Sequence, residues 1–258
     1  MCLHALFRLY IFILLLTITA FFSHTTYACA EGKLAIGTAY KVLLSTPSQD
    51  GMLDLIAKEA FYRLGMEIEV PYFPTERSLK MADGGLTDGE LNRVAGMEKN
   101  YPNLVRVDEN MMDFQFVGFA LQQPPLMEGK WENLKLYQVG FIKGWKILEA
   151  NIGDYPNITL FHSAEALFQG LVRGRVDIII YGKLIGLAVM KELGINNVTV
   201  LQHPFASKKM YMYLHKKHRS TAPAVADALS QMKRDGVYDE IVSKALMPYQ
   251  QVLQNVAQ

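Results

Sequence analysis

Apolar residues recur along most of this chain with two alternating periods, one typical of strands and the other of helices. In the first half, strands are predicted at residues 33–40, 67–72, 86–91, 104–107 and 114–121, with helices at 52–64 and 76–82. Residues 122–132 interrupt this pattern with Pro124, Pro125 and Gly129, and they carry no apolar period. We therefore interpret them as a connection between two lobes.

The alternation restarts after this connection. Strands are predicted at 136–142, 158–161, 176–181, 198–201 and 210–215, and helices at 145–151, 164–172, 184–193, 222–234 and 237–246. The run VDIIIY at 176–181 is continuously apolar, as in a parallel strand buried on both faces. Strands that alternate with helices of about ten residues indicate βαβ units. The sequence thus predicts an α/β fold of two lobes, each a parallel-rich sheet flanked by helices.

The N-terminus has the pattern of an export signal. Residues 9–22 are an apolar run of fourteen, followed by small and polar residues that include Ala28-Cys29-Ala30. This run is shorter than the roughly twenty residues that cross a membrane. We predict a cleaved signal peptide over 1–30 and a periplasmic mature protein. The alternatives are an uncleaved N-terminal anchor and a lipid-modified Cys29.

Composition narrows the classes of function. The 258 residues include 26 Lys and Arg, 25 Asp and Glu, and 50% hydrophobic residues, as in a globular protein. Arg8 is the only such charge in the predicted signal, so the mature chain has no net charge and gives no support to a nucleic-acid partner. Both cysteines, Cys2 and Cys29, leave with the signal, and neither a disulfide nor a thiol nucleophile is expected.

Catalytic, cofactor and metal motifs give little support to other functions. The chain contains no G-x-S-x-G, H-E-x-x-H, P-loop or dinucleotide-binding sequence. His215 and His218 have the spacing of metal ligands, but no third ligand is close in sequence. We expect neither a cofactor nor a metal.

Six segments together resemble the type II periplasmic solute-binding fold, and specifically the family 3 extracellular solute-binding proteins, which include the amino-acid receptors of ABC transporters. These segments are IGTAY at 36–40, GMLDLIAKEAFYRLG at 51–65, TERSLKMADGGLTDGELNR at 75–93, LYQVGFIKGWK at 136–146, AEALFQGLVRGRVDIIIYGK at 164–183 and MKRDGVYDEI at 232–241. Each is a short apolar pattern with glycines, and their order and spacing carry the resemblance.

The resemblance implies a first lobe at 31–119 and 208–258, and a second at 120–207, with two hinge crossings. A small-molecule ligand is expected to lie between the lobes, which close over it. The implied role is capture for ABC-type uptake, as a monomer that delivers to a membrane permease. One alternative is a receptor component for a membrane sensor. The other is an enzyme on the same fold, with Glu90 as its catalytic candidate.

In the first lobe, the resemblance places Asn92 and Arg93 at ligand-contact positions. A guanidinium there can hold a carboxylate through two hydrogen bonds, while the structural alternative is a salt bridge with a nearby acid such as Glu90. Glu90 alternates with Asn92 along the strand, so both are candidates to face the ligand. Arg77 at a helix start and Tyr40 at a strand end are the other candidates, with ion pairing and packing as their respective alternatives.

In the second lobe, Lys143 and Trp145 flank a glycine at a strand-to-helix turn. Glycine beside lysine there is a candidate anion site, and the indole can stack on a ring or an aliphatic chain, or pack as core. Tyr181 and Lys183 flank Gly182, close to which the amino-acid receptors carry an aspartate that holds the ligand's ammonium. That carboxylate is missing here. We therefore expect an anionic ligand, in a positive cleft that Arg93, Lys143 and Lys183 share.

Overall fold

The computed structural model of the protein describes residues 32–39, 42–122, 124 and 128–249. The predicted signal peptide at 1–30 and Tyr40 lie outside the described residues. From Lys33 on, the described residues fold as a single unit.

The strands and helices alternate as the sequence predicts. The strands are β1 Leu34–Gly37, β2 Ile68–Glu69, β3 Gly89–Val94, β4 Leu104–Ala120, β5 Val139–Ile142, β6 Ile158–Phe161, β7 Ile178–Gly182, β8 Thr199–Val200 and β9 Ala206–His215. The helices are α1 Met52–Tyr62, α2 Thr75–Asp83, α3 Lys146–Ile152, α4 Ala164–Val172, α5 Lys183–Glu192, α6 Ala222–Asp235 and α7 Val237–Leu246. None of the helices in the described part of the chain is long and apolar enough to cross a membrane.

The strands form one mixed sheet in the order β2-β1-β3-β9-β4-β7-β5-β6, and β8 pairs with β4. The pairs β1–β2, β1–β3, β5–β6 and β5–β7 are parallel, because helical crossovers join those strands. The pairs that involve β4 or β9 are antiparallel. The predicted α/β class is confirmed, with a parallel block at each end of the sheet and antiparallel strands between them.

Strand β4 differs from the sequence prediction. Residues 104–107 and 114–121 were expected to be separate strands, because the intervening DENMMD is mostly polar. The structure has one strand of 17 residues, whose pairing with β9 shifts between Arg106 and Asn110 and again between Asn110 and Met112. Beta-bulges of this kind accommodate extra residues without ending a strand. Most of β4 pairs with β9, and its last residues, Phe116 to Ala120, pair with β7. The predicted lobe boundaries remain a prediction.

Strand β7 is buried on both faces, as its continuous apolar run predicts. Ile178 and Ile180 pack in the hydrophobic core that also contains Phe61 and Leu229. Ile179 and Tyr181 belong to a second core on the opposite face. Burial on both faces holds the carboxyl end of β7, where α5 begins, in a fixed position.

Candidate functional site

A cavity of about 490 Å3 opens where the carboxyl ends of β1, β3, β5 and β7 meet the crossing strands β4 and β9. Such an edge is the usual ligand site of open α/β sheets, and the volume lies within the range of small-molecule pockets. From the first half of the chain, Ala39, Thr75, Arg93 and Val94 line it. From the second half come Trp145, Lys146, Ile147 and Ile185, and from the crossing strands Phe114, Phe116, Lys208 and Met210.

Arg93 is the buried cation of this cavity. One guanidinium nitrogen, Nη2, lies 2.5 Å from Oε1 of Glu90, and the two side chains are 11% and 1% exposed. In a regular strand, residues three apart point to opposite faces. Here the pairing of β3 with β9 shifts between Glu90 and Arg93, which adds one residue to β3 and brings the two side chains together. The sequence suggests the ion pair as the alternative role for Arg93, and the structure shows it.

Glu90 is held in place by a second contact. The Ser78 hydroxyl of α2 donates a hydrogen bond of 2.5 Å to Oε2 of Glu90. Burial raises the pKa of Glu90 above its usual value, and the nearby Arg93 and the Ser78 hydrogen bond partly oppose that rise. A side chain at Gly37 would place a Cβ 2.8 Å from the Ser78 oxygen and 3.2 Å from Glu90, so it would displace the Ser78 hydroxyl. The acid is therefore part of a tightly packed contact below the cavity.

Three aromatic rings line the cavity beside this charge. The Trp145 ring lies edge-on to Phe116, with ring centroids 5.6 Å apart, and 6.3 Å from Phe114. Phe114 and Phe116 are themselves 5.1 Å apart. Behind the indole, Tyr181 stacks on Trp145 at 4.8 Å and an interplanar angle of 22°. Tyr181 does not line the cavity, and burial raises its pKa to about 12. Its role is to support Trp145.

The described ionisable side chains that line the cavity all carry positive charge. Arg93, Lys146 and Lys208 are its ionisable lining residues within the described chain, and all three are cations. Lys146 and Lys208 are exposed, and Lys146 pairs with Glu149 at 2.8 Å. Arg93 is therefore the cation that is fixed in place, while the two lysines lie at the solvent side.

The turn from β5 into α3 does not have the expected anion site. Lys143 is exposed and does not line the cavity. The backbone N–H of Gly144 donates a 2.7 Å hydrogen bond to Glu149, which the same helix supplies. The hydrogen bonds from Lys146 and from the N–H of Gly144 lower the pKa of Glu149. The protein's own carboxylate thus takes the position expected for an anion, and Trp145 is the residue that this turn contributes to the cavity.

The expected cluster of Arg93, Lys143 and Lys183 does not form at this cavity. Lys183, at the start of α5, lines a different cavity with Met112 to Gln115 of β4. The residue of α5 that reaches the main cavity is Ile185, two positions further along. Of the three expected cations, Arg93 lines the main cavity, and the lysines that join it are Lys146 and Lys208.

Two further candidates from the first half also lie away from the main cavity. Arg77 is exposed, with its guanidinium 5.9 Å from the Phe73 ring centre, and it lines a separate surface pocket. Asn92 is fully buried, and neither polar atom of its amide has a hydrogen-bond partner among the described residues. The bulge explains its position, because Arg93 rather than Asn92 shares the side of Glu90.

Sequence reasoning missed the aromatic residues of β4 and the lysine of β9. Phe114 and Phe116 are two residues apart on one strand and so face the same way. That alternation is visible in the sequence, but it does not distinguish a cavity wall from ordinary core packing. Lys208 precedes the strand predicted at 210–215, and β9 begins earlier, at Ala206. No local signal marked it.

Comparisons with known proteins identify the fold. No family model matches the chain. Over 200 residues, it is 26% identical to an uncharacterized protein of Shewanella oneidensis, covering 74% of this chain and 75% of that protein.

Several solved structures are similar in fold. A histidine kinase sensor domain with similarity to periplasmic binding proteins matches with a TM-score of 0.66 and 15% identity, over 83% of this chain and 96% of that one. An ancestral arginine-binding protein bound to arginine matches with a TM-score of 0.63 and 20% identity, over 83% of this chain and 97% of that one. An ancestral amino-acid-binding protein, a precursor of cyclohexadienyl dehydratase, matches with a TM-score of 0.59 and 21% identity, over 83% of this chain and 95% of that one. The protein therefore has the type II periplasmic-binding-protein fold.

Proposed function

We propose that the protein is an exported solute-binding protein that captures a small anionic molecule in the cavity at Arg93. One observation carries this proposal: the ionisable residues that line the cavity within the described chain are Arg93, Lys146 and Lys208, all cations. An anionic group of the ligand would share the Arg93 guanidinium with Glu90. A hydrogen bond to a charged group contributes roughly 1.5–3 kcal/mol. This is enough to select an anion over a neutral molecule of the same shape.

The proposed capture includes closure of two lobes, 31–119 with 208–258 and 120–207, around the ligand. The cavity is lined from both stretches, with Arg93 in the first and Trp145 in the second. Strands β4 and β9 connect the two stretches, so a change in their twist would open or close the cavity. Closure would remove water from the Arg93 guanidinium and strengthen its interaction with the anion.

The proposed site of action is the periplasm, where the protein acts as a monomer and delivers its ligand to the permease of an ABC transporter. Support comes from the fold, which an amino acid ABC transporter's substrate binding protein shares at a TM-score of 0.59 and 20% identity. The second candidate is a receptor component for a membrane sensor, because a histidine kinase sensor domain also has this fold. In both roles the cavity has the same function, and the partner differs.

Catalysis is not part of the proposal, although a precursor of cyclohexadienyl dehydratase has the same fold. The candidate acid was Glu90. Its two oxygens contact Arg93 and Ser78, and Glu90 does not line the cavity. A general acid or base must come within hydrogen-bond reach of the proton it transfers. We therefore propose that Glu90 positions Arg93.

Thermal-shift and calorimetric screening of the mature protein tests the proposal, with mono- and dicarboxylates, phosphates, amines and neutral sugars as probes. At a hundredfold excess over Kd, a ligand should stabilise the protein by about 2.7 kcal/mol. We expect anions to stabilise the wild type, and Arg93→Ala to lose this response. Arg175→Ala removes an exposed arginine away from the cavity and serves as the control.

A stabilising amine or sugar that binds equally well to Arg93→Ala would reject the anionic site. Small-angle scattering tests closure, since a bound ligand should reduce the radius of gyration. Uptake of the labelled ligand by a deletion strain then separates the two partners. Loss of uptake supports the permease, and normal uptake with a lost transcriptional response supports the sensor.

A further inference from the structure

We infer that the cavity binds a small aromatic carboxylic acid that carries no protonated amine. This inference rests on the proposed function and narrows its ligand class by two observations. The first is the ring cluster that lines the cavity. The second concerns the carboxylates around the cavity, which are already paired with the protein's own cations.

The ring cluster consists of Phe114, Phe116 and Trp145. They line one cavity, and each ring lies within 6.3 Å of the other two. Aromatic rings attract each other in tilted and offset arrangements at centroid distances of about 4.5–7 Å. A ligand ring that enters the cavity meets three such partners, together with the apolar side chains of Ile185 and Met210. An aliphatic chain would gain burial but not the ring interactions.

The indole of Trp145 is already fixed before a ligand arrives. Tyr181 stacks on it at 4.8 Å, and Phe168 packs edge-on against Tyr181 at 5.8 Å and 85°. Both supporting rings are buried in the second core. A ring that is held in this way loses little conformational freedom on binding. Trp145 is therefore a preformed contact surface for a planar ligand.

The remaining question is whether the ligand also carries an ammonium group, as an amino acid does. Every ionisable lining residue in the described chain is a cation, so an ammonium in this cavity would lie among like charges. Of the carboxylates next to those cations, Glu90 is held by Arg93 and Ser78. Glu149 is held by Lys146 and by the N–H of Gly144. Burying a charge without a partner is costly, so an amine on the ligand should weaken binding.

The two tryptophans of the chain, Trp131 and Trp145, allow a direct measurement. Trp131 packs on Phe205 at 5.2 Å and does not line the cavity. In a Trp131→Phe variant, the fluorescence therefore reports on Trp145. The probes are 3-phenylpropionate, its amino-acid counterpart phenylalanine, its amine counterpart phenethylamine, and the aliphatic acid hexanoate.

We expect 3-phenylpropionate to change the Trp145 emission and to bind at least tenfold more tightly than phenylalanine. Hexanoate should bind roughly three- to tenfold more weakly than 3-phenylpropionate, and phenethylamine should not bind. Phe116→Leu should reduce the preference for the ring over hexanoate, because it removes one of the three aromatic partners. Phe61→Leu truncates a ring of the same hydrophobic core that does not line the cavity, and it should keep that preference.

The contrary outcomes are distinct. Equal or tighter binding of phenylalanine overturns the exclusion of an amine, and equal binding of hexanoate overturns the requirement for a ring. If phosphate or a dicarboxylate binds in an Arg93-dependent manner while 3-phenylpropionate does not, the aromatic inference fails and the proposed anionic function stands. If no anion binds, the proposed function itself fails.

Discussion

The carboxylate of Glu90 lies 2.5 Å from the guanidinium of Arg93, and both side chains are buried beside the cavity. This ion pair provides the negative charge that keeps Arg93 compatible with burial when no ligand is bound. In the proposed function, an anionic ligand would meet a guanidinium that Glu90 already contacts. Glu90 would then lower the affinity for the anion while it holds Arg93 in position.

The first prediction concerns Glu90→Gln. The substitution keeps the shape of the side chain and removes the negative charge behind Arg93. For an anion bound on the far side of the guanidinium, roughly 7 Å from Glu90, the relief is about 0.6–2.4 kcal/mol. We expect anion affinity to rise about three- to sixtyfold, as measured by calorimetry. An unchanged affinity would show that the ligand's charge lies elsewhere.

The pH dependence of stability gives the second prediction. Burial raises the pKa of Glu90 in the folded protein, with Arg93 and Ser78 opposing the rise, whereas the unfolded chain has the ordinary value. The folded state thus binds the proton more tightly. The stability that Glu90 contributes is fully present below its unfolded pKa and is lost as pH rises through its higher folded pKa. Denaturant unfolding should show this loss in the wild type, and the Glu90→Gln curve should lack it.

Binding should follow the same titration. Protonation of Glu90 removes the negative charge behind Arg93, so anion affinity should increase as pH falls through the folded pKa of Glu90. Bound anion should in turn raise that pKa further, so that binding takes up protons. Calorimetry in buffers of different ionisation enthalpy measures the uptake. If the same uptake persists in Glu90→Gln, another group is responsible.

The third prediction separates the binding role of Arg93 from its structural role. Arg93 is one partner of a buried ion pair, and removing one partner of such a pair costs about 3–5 kcal/mol. We therefore expect Arg93→Ala to have both lower stability and a tenfold to hundredfold weaker affinity for the anion.

The double variant Glu90→Gln/Arg93→Ala removes both charges and should recover part of the stability but none of the affinity. Arg93→Lys should keep much of the stability and still lose affinity, because one ammonium cannot replace a planar guanidinium. Chemical denaturation and calorimetry on the three variants make the comparison. If Arg93→Ala binds the anion with full affinity, the role of Arg93 is structural and it does not bind the ligand.

A fourth prediction concerns the glycine beneath the ion pair. Gly37→Ala would place its Cβ 2.8 Å from the Ser78 oxygen and displace the hydrogen bond to Glu90. Overpacking of this kind costs about 1–3 kcal/mol. Ser78→Ala removes the clashing oxygen, so the double variant Gly37→Ala/Ser78→Ala should be more stable than Gly37→Ala alone. Additive losses in the thermal melts would contradict the proposed contact.

The fifth prediction concerns export. We expect cleavage after Ala30, because the apolar run of residues 9–22 and Ala28-Cys29-Ala30 fit a signal-peptidase site. N-terminal sequencing of protein from the envelope fraction should begin at residue 31. An intact Met1, or a lipid attached to Cys29, would show that the segment is an anchor instead.

The sequence predicts much of the fold because its local signals agree with its tertiary contacts. Helix α4 has the predicted bounds, with Ser163 as a cap whose hydroxyl accepts the N–H of Ala166. Strand β6 and helix α7 also match. The continuity of β4 was not predictable, because its polar middle resembles a turn. Only the pairing with β9 shows that the strand continues through this polar segment by means of bulges.

The site was predictable in part for a similar reason. Arg93 and Trp145 adjoin element ends, where side chains meet in this class of fold, and both line the cavity. The pairing of Arg93 with Glu90 depends on the bulge in β3, and no sequence pattern indicates that bulge. A helix begins at Lys183, so its side chain points elsewhere and Ile185 reaches the cavity instead. Rotations of this kind within the first turn of a helix are set by packing.

The length of β4 limits how this protein can be divided into fragments that fold. Its residues pair first with β9 and then with β7, so the same strand completes the hydrogen bonding of both ends of the sheet. A fragment that stops before β4 lacks both β4 and β9, which leaves β3 with an open edge, and one that begins after β4 leaves β7 with an open edge prone to aggregation. We expect neither half to fold when expressed alone. Truncation, split-protein reporters and domain exchange should therefore keep β4 and β9 intact and place their junctions in the helical crossovers.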